Sequence, residues 1–249
     1  MTSKIVWIVG ASSGIGKELA RQYAQKGVTV LASARRLNKL EELTNEFPNQ
    51  ISAVQLDVTD TDSIQNATER VFNCDNMPDT IILNAGIYQP MSHTHFVAQN
   101  AEEAMMVNYL GVVRMIEPIL PRLVNANRGK IVVVGSVAGY NGLPLSLAYG
   151  PTKAALINLC EALYIELIGS GVSVQLVSPG FVKTPLTEKN KFPMPFLLDV
   201  SDAAERILKG IDKGKFEIVL PRRFAYLLKI IRMLPYTVSL PLLRKLTGS

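Results

Sequence analysis

The chain has 249 residues, of which 48% are hydrophobic and 19% charged, and this balance excludes an intrinsically disordered protein. The net charge of +5 does not indicate a nucleic-acid partner, because residues 222–249 hold six basic residues and no acidic one. Cys74 and Cys160 are too few for a disulfide framework, and no spacing of cysteine or histidine predicts a metal site.

The N-terminus enters an apolar run at once and lacks the cleavage site of a signal peptide. No run of 18 apolar residues follows anywhere in the chain, so a membrane-spanning helix is not expected. We therefore expect a protein of the reducing cytoplasm.

Short apolar runs rich in Val and Ile alternate along the chain with longer segments of helical periodicity. The runs are continuous, which is typical of strands that are covered on both faces. They predict strands at 5–9, 28–32, 51–56, 80–83, 130–134, 172–177 and 216–220, with helices at 14–25, 37–46, 61–73, 101–126, 148–168 and 202–213. This order predicts a single α/β domain over 1–221, with a doubly wound, seven-stranded parallel sheet and helices on both faces.

Three glycines with the spacing G-x-x-x-G-x-G follow the first predicted strand and lead directly into a helix. Glycine allows a tight turn and close approach to a pyrophosphate, and the helix N-terminus offers free N–H groups. A P-loop is excluded, because Ala11 and Glu18 stand where it needs Gly and Ser or Thr. A purely structural turn could also use these glycines, but the strand–turn–helix context favours a dinucleotide site. Its predicted residues are Gly10, Ser12, Ser13, Gly14, Ile15 and Gly16.

The end of the second predicted strand indicates which dinucleotide binds. An NAD-specific site places Asp or Glu there to bind the ribose 2′-hydroxyl. This chain has Ala34, followed by Arg35 and Arg36, whose guanidinium groups suit a 2′-phosphate. We therefore predict a preference for NADP(H), with NAD(H) as the alternative if the arginines only solvate the end of a loop.

Tyr149 and Lys153 lie four residues apart near the start of a predicted helix, so both side chains project from one face. Tyrosine has an ordinary pKa of about 10, which a nearby ammonium and an oxidised nicotinamide would lower. Tyr149 could then act as a general acid or base on a carbonyl or alcohol, while Ser136 hydrogen-bonds the same oxygen. Taken alone, such a pair is more often a packed ring and a solvated charge.

The motifs occur in an order that resembles the short-chain dehydrogenase/reductase family over roughly residues 4–220. The resemblance implies a Rossmann fold and hydride transfer between a nicotinamide dinucleotide and a carbonyl or alcohol. It also implies that Lys153 holds the nicotinamide ribose and that Asn108 anchors a water that relays protons to Lys153. The further dinucleotide residues that it implies are Asp57, Val58, Asn84, Ala85, Gly86, Tyr149, Pro179, Gly180, Val182 and Thr184.

The chain departs from the family pattern at a few positions. Val9 replaces the usual Thr, Leu83 replaces an Asn, and Gly150 and Pro151 stand between Tyr149 and Lys153. Proline is tolerated in the first turn of a helix, so the last departure is compatible with activity. The resemblance also implies a homodimer or homotetramer through the two long predicted helices.

The segment at about 181–200 lies where the family has a mobile substrate lid. Its apolar residues would either face a lipophilic substrate or pack the lid onto the body. These residues are Phe192, Met194, Phe196, Leu197 and Leu198.

Residues 222–249 form a basic, apolar extension that Pro235 and Pro241 divide. Apolar residues recur at spacings of three and four, which predicts an amphipathic helix. These residues are Phe224, Leu227, Leu228, Ile231 and Leu234. The apolar face would pack on the protein or a second subunit, or it would anchor the chain at an anionic membrane. Two functional alternatives therefore stand beside an oxidoreductase: a catalytically silent dinucleotide sensor and a membrane-peripheral binding protein.

Overall fold

A parallel sheet of seven strands forms the centre of the fold, in the order β3-β2-β1-β4-β5-β6-β7. The computed structural model describes residues 4–72, 77–190 and 192–247, so Cys74 and the last residue of the predicted helix 61–73 lie outside the described residues. The strands are β1 Ile5–Val9, β2 Thr29–Ala34, β3 Ile51–Gln55, β4 Thr80–Leu83, β5 Gly129–Val134, β6 Val172–Pro179 and β7 Glu217–Leu220. Neighbouring strands all pair in parallel, which confirms the predicted sheet.

The helices are α1 Gly14–Gln25, α2 Leu37–Glu46, α3 Thr61–Phe72, α4 Ala98–Met105, α5 Gly111–Asn125, α6 Tyr149–Glu166, α7 Val200–Asp212, α8 Arg222–Met233 and α9 Tyr236–Thr247. A π-helical turn, Met106–Leu110, joins α4 to α5. The segment predicted as one helix at 101–126 is therefore continuous but changes its hydrogen-bonding pattern around Asn108.

Two apolar cores lie on opposite faces of the sheet, as expected for strands that are buried on both sides. Leu19 of α1 and Ile207 of α7 contribute to one core, together with residues of α2. Ile119 of α5 and Leu156 of α6 contribute to the other, together with residues of α3. Helices on both faces are thus confirmed.

The strand order places a crevice at the carboxyl ends of β1 and β4. β1 pairs with β2 on one side and with β4 on the other, so the chain continues to opposite sides of the sheet after these two strands. Ligands of doubly wound folds bind at such a switch point.

The extension after β7 packs one face on the body of the protein. Leu228 and Ile231 of α8 and Leu243 of α9 are buried against Val137, which lies just after β5. Of the alternatives that the sequence left open, this face of the extension packs on the protein itself. Leu227, which the sequence pattern placed on the same face, is instead 42% exposed.

Pro235 separates α8 from α9, but Pro241 lies inside α9 and does not divide it. A proline inside a helix removes one backbone hydrogen bond. The burial of Ser239 and Leu243 on either side of it holds α9 against the body. None of the helices in the described ranges is long and apolar enough to span a membrane.

Candidate active site

The loop between β1 and α1 packs closely against the loop that follows β4. Gly10 has a φ of +91°, and a Cβ there would lie 2.6 Å from the backbone N of Ala85. A Cβ on Gly16 would lie 2.6 Å from Nδ2 of Asn84, which donates a hydrogen bond to the carbonyl of Gly10 at 2.9 Å. Only glycine fits at both positions.

The helix α1 begins at Gly14 directly beside this loop, and no side chain of the described residues caps its N-terminus. Its first N–H groups point out of the helix with the positive end of the helix dipole. The glycine loop and the helix end together form a cradle that fits a pyrophosphate.

A cavity of about 510 Å³ lies at the carboxyl ends of the strands and brings together most of the predicted site residues. Those on its wall are Gly10, Ser12, Ser13, Gly14, Ile15, Arg35, Arg36, Asp57, Val58, Asn84, Ala85, Gly86, Ser136, Tyr149, Lys153, Pro179, Gly180, Val182 and Thr184. Gly16 and Asn108 do not line the cavity but lie directly behind its wall.

At the end of β2, the cavity wall has basic side chains and no carboxylate. Ala34 is buried, while Arg35 and Arg36 are exposed on the wall. Arg36 Nη2 donates hydrogen bonds to the hydroxyls of Ser12 and Ser13 at 2.9 and 3.2 Å, which holds this guanidinium against the glycine loop.

Cations outnumber carboxylates on the cavity wall. Among the described residues, the lining cations are Arg35, Arg36, Lys153 and Lys189, and the only carboxylate is Asp57. Oδ1 of Asp57 accepts hydrogen bonds from the backbone N and the hydroxyl of Thr59 at 2.9 and 2.8 Å. The cavity therefore fits an anionic ligand such as a dinucleotide phosphate.

Tyr149 is the first residue of α6, and Lys153 follows one turn later on the same face. Nζ of Lys153 lies 5.4 Å from the centroid of the Tyr149 ring and donates to the carbonyl of Val134 at 2.9 Å. Ser136, after β5, contacts the Tyr149 side chain, and its hydroxyl donates a hydrogen bond to the carbonyl of Pro179 at 3.3 Å. The structure thus brings the three predicted catalytic side chains together.

Burial shifts both titratable groups towards their neutral forms. It raises the pKa of Tyr149 to about 12, and the hydrogen bond from Ser136 offsets only part of this rise. Burial also lowers the pKa of Lys153 to about 8. Loss of solvent therefore sets the direction of the Tyr149 shift in the protein alone, and the lowering by Lys153 together with an oxidised nicotinamide stays a prediction.

Asn108 lies in the π-helical turn and is fully buried. Its Oδ1 accepts a hydrogen bond from the backbone N of Ile87 at 2.7 Å, and its Nδ2 donates to the Ile87 carbonyl at 3.0 Å. Nδ2 also donates to the hydroxyl of Thr152 at 3.2 Å, within the first turn of α6. Asn108 thus joins the loop after β4 to the helix that carries Tyr149 and Lys153.

Sequence reasoning missed Tyr88, whose ring packs edge-on against the Tyr149 ring with a centroid distance of 5.3 Å. Tyr88 lines the cavity, and its carbonyl accepts a hydrogen bond from Nζ of Lys189 at 3.1 Å. The signal was available, because Ile87 and Tyr88 directly follow the Asn84–Gly86 motif.

The segment predicted as a lid closes one side of the cavity through Pro185, Leu186 and Lys189. The five apolar residues singled out from the sequence do not line the cavity. Phe192 packs against Phe181, and Phe196 packs against Phe224 of α8, with ring centroids 6.0 and 6.1 Å apart. Phe192 thus contacts another ring of the lid itself, and Phe196 packs the lid on the extension.

A polar cluster joins the extension to the turn that follows Ser136. Glu217 of β7 accepts hydrogen bonds from the hydroxyl of Tyr140 and from Ser178 of β6, the latter at 2.8 Å. Its other oxygen pairs with Nζ of Lys229 in α8, which also lies 5.1 Å from the Tyr140 ring centroid. Burial and the Glu217 contact raise the pKa of Tyr140.

Comparisons with known proteins agree with this geometry. A family model described as short chain dehydrogenase matches residues 4–193. An uncharacterized oxidoreductase of Myxococcus xanthus is 35% identical over 241 residues, covering 94% of each chain. The 3-oxoacyl-(acyl-carrier-protein) reductase of Thermotoga maritima is 33% identical, covering 87% of this chain and 85% of that one. The structure of a short-chain dehydrogenase from Sphingobium yanoikuyae in complex with NADPH is 28% identical, with a TM-score of 0.79, covering 90% of this chain and 92% of that one.

Proposed function

The chain belongs to the short-chain dehydrogenase family. We propose that it is an NADP(H)-dependent oxidoreductase that acts on a carbonyl or alcohol substrate. One observation carries the proposal: a single cavity holds both the glycine loop and the side chains of Ser136, Tyr149 and Lys153. A silent dinucleotide sensor would need the loop but not these three side chains.

The dinucleotide is assigned to the glycine-loop side of the cavity. Gly10 and Gly14 allow the pyrophosphate to approach the backbone, and Arg35 and Arg36 favour a 2′-phosphate over a free hydroxyl. The NADPH complex of the Sphingobium yanoikuyae relative supports this choice. The other residues assigned to the dinucleotide are Ser12, Ser13, Ile15, Gly16, Asp57, Val58, Asn84, Ala85, Gly86, Pro179, Gly180, Val182 and Thr184.

In carbonyl reduction, the Tyr149 hydroxyl donates its proton to the substrate oxygen. The Ser136 hydroxyl donates a hydrogen bond to the same oxygen and stabilises the charge that develops there. Both side chains line the same cavity, so their hydroxyls can face one substrate oxygen there. When bound, the dinucleotide supplies the hydride and, once oxidised, a positive charge that favours the phenolate.

Lys153 is assigned to the nicotinamide ribose and, with Asn108, to the resupply of protons. Lys153 is 4% exposed, and a pKa near 8 lets it both carry and release a proton close to neutral pH. Asn108 would anchor the relaying water, and its side chain fixes Thr152, the residue directly before Lys153.

The substrate is assigned to the side of the cavity next to Tyr149, between the loop after β4 and the lid. Tyr88, Pro185 and Leu186 give this side apolar surface, which suits a lipophilic carbonyl compound. The Thermotoga maritima relative, by its name, reduces a 3-oxoacyl group, which is a ketone with an acyl chain.

The assembly is proposed to be a homodimer or homotetramer through α5 and α6. Three apolar side chains near the end of α6, Tyr164, Ile165 and Ile168, are 48%, 66% and 75% exposed. Sedimentation velocity of the full chain and of the Ile165→Asp variant tests this assembly, because a charge at the interface would dissociate it.

The test of the function follows the absorbance of the reduced nicotinamide during turnover of a panel of lipophilic ketones. We expect oxidation of NADPH to be faster than oxidation of NADH for at least one ketone. Binding of NADPH without turnover of any ketone or alcohol would favour the silent sensor.

A further inference from the structure

The helix α8 is apolar on two opposite sides. Ala225, Leu228 and Ile231 recur every three residues and are buried against the body. On the other side, Tyr226 and Ile230 are 54% and 60% exposed. Packing on the body therefore accounts for only one apolar face of this helix.

Exposed apolar side chains also occur at the end of α8 and in the first half of α9. Met233, at the end of α8, is 85% exposed, and Tyr236, at the start of α9, is 66% exposed. Val238 and Leu240 of α9 are 50% and 54% exposed. We call the six residues Tyr226, Ile230, Met233, Tyr236, Val238 and Leu240 the outer tail surface. Exposed apolar residues grouped in one segment in this way mark an interaction site more often than scattered single residues do.

The charge around the outer tail surface has one sign. Residues 222–249 contain six basic residues and no acidic one, and of these six Lys229 is paired with Glu217 of β7. Arg222 and Arg223, at the start of α8, and Lys245, near the end of α9, are exposed. The guanidinium of Arg232 lies 6.0 Å from the centroid of the Tyr236 ring, so a cation borders the apolar residues directly.

The basic charge favours one of two possible partners of the outer tail surface, a second copy of the chain or an anionic lipid surface. In a symmetric dimer through the same surface, the two partners would bring their basic side chains together with no acid in the segment to pair them. An anionic lipid surface instead complements both properties, because apolar side chains enter the acyl boundary while basic side chains meet the headgroups. Tyrosines at the edge of such a surface match the polar–apolar boundary of a bilayer.

We propose that the outer tail surface docks the protein on an anionic lipid bilayer. The extension then has two tasks, because its inner face completes the fold and its outer face binds the membrane. The exposed ring of Phe196, which packs against Phe224, places the lid next to the docked helix.

The experiment measures sedimentation of the full-length protein with vesicles of phosphatidylcholine alone or of equal parts phosphatidylcholine and phosphatidylglycerol. We expect binding to the anionic vesicles only, and weaker binding at high salt. The double variant Arg222→Glu, Arg223→Glu should lower the partition coefficient at least roughly 30-fold, because each basic residue near an anionic surface contributes about 1 kcal/mol.

Two further variants complete the design. The triple variant Tyr226→Ser, Ile230→Ser, Met233→Ser should lose vesicle binding while keeping the melting temperature, because all three side chains are largely exposed. The control Lys213→Glu, Lys215→Glu makes the same charge change at exposed residues before β7 and should bind as the wild type does.

Absence of binding to the anionic vesicles, or equal binding to both kinds, would overturn the proposal. So would an equal loss of binding in the control variant. Concentration-dependent dimerisation that the triple variant abolishes, without vesicle binding by the wild type, would assign the outer tail surface to a second copy of the chain.

Discussion

The ammonium of Lys153 lies 5.4 Å from the centre of the Tyr149 ring, and burial opposes the charged form of both residues. It raises the pKa of Tyr149 to about 12 and lowers the pKa of Lys153 to about 8. Both groups therefore favour their neutral forms over a wide range of alkaline pH, which suits a phenol that donates a proton.

Replacing Tyr149 by Phe removes the proton donor and keeps the ring that packs against Tyr88. Turnover should fall at least about 100-fold, the usual loss when general acid–base catalysis is removed. Binding of NADPH, measured by fluorescence titration, should persist. The matched control is Tyr236→Phe, at an exposed position of α9 outside the cavity wall. Wild-type turnover in the Tyr149 variant would contradict the assigned role.

Replacing Lys153 by Met removes a titration that should be visible in stability. The pKa of Lys153 is lowered from 10.5 to about 8, so between these values the unfolded state binds the proton and the folded state does not. Stability must therefore rise with pH across this window. The free energy of unfolding of the wild type, relative to Lys153→Met, should rise by roughly 2–3 kcal/mol between about pH 8 and pH 10. Urea unfolding of both proteins at several pH values measures this difference in unfolding free energy. A difference that does not change with pH would show that Lys153 stays charged in the folded state.

Replacing Arg35 by Ala should discriminate between the two dinucleotides. A hydrogen bond to a charged group is worth about 1.5–3 kcal/mol, so the Michaelis constant for NADPH should rise roughly tenfold to over 100-fold. That for NADH should change little, because NADH lacks the 2′-phosphate. The companion change Ala34→Asp should shift preference towards NADH, and Arg128→Ala, at an exposed site outside the cavity wall, should affect neither constant. If Arg35→Ala changed the Michaelis constants for NADPH and NADH equally, the assigned preference for NADP(H) would be contradicted.

The two faces of α8 should differ in their effect on stability. Leu228 is 4% exposed and Ile230 is 60% exposed. Leu228→Ala removes buried methyl groups and should cost about 2–4 kcal/mol of unfolding free energy. Ile230→Ala should change it by less than about 0.5 kcal/mol. Chemical denaturation of both variants measures the contrast, and similar losses would mean that α8 packs with a different face inward.

Apolar runs were enough to predict the sheet, and the residues that line the cavity were predicted from the glycine spacing together with the family resemblance. The apolar runs located the end of β2 poorly, because Ser33 ended the apolar run even though it is fully buried in the strand. Its hydroxyl accepts a hydrogen bond from the indole of Trp7 in the neighbouring strand β1 at 2.9 Å, and a partner 26 residues away in the sequence leaves no local signal. The π-helical turn around Asn108 was equally invisible, because its residues have ordinary helical periodicity.

The face of α8 was only partly predictable for a related reason. Spacings of three and four fit Leu227 and Leu228 equally well, and the choice between them depends on the body against which the helix packs. The small Ala225, which is fully buried, allows α8 to approach that body and turns Leu227 outward.

The carboxylate of Glu217 links the extension to the turn that follows Ser136. It binds Lys229 of α8 with one oxygen and, with the other, Tyr140, which lies four residues after Ser136. Cutting the chain after Pro221 would leave this half-buried carboxylate without its cation and strip the apolar cover from Val137. A shortened chain would therefore lose turnover for reasons unrelated to lipid. The residues after Pro221 stabilise the position of the turn that follows Ser136.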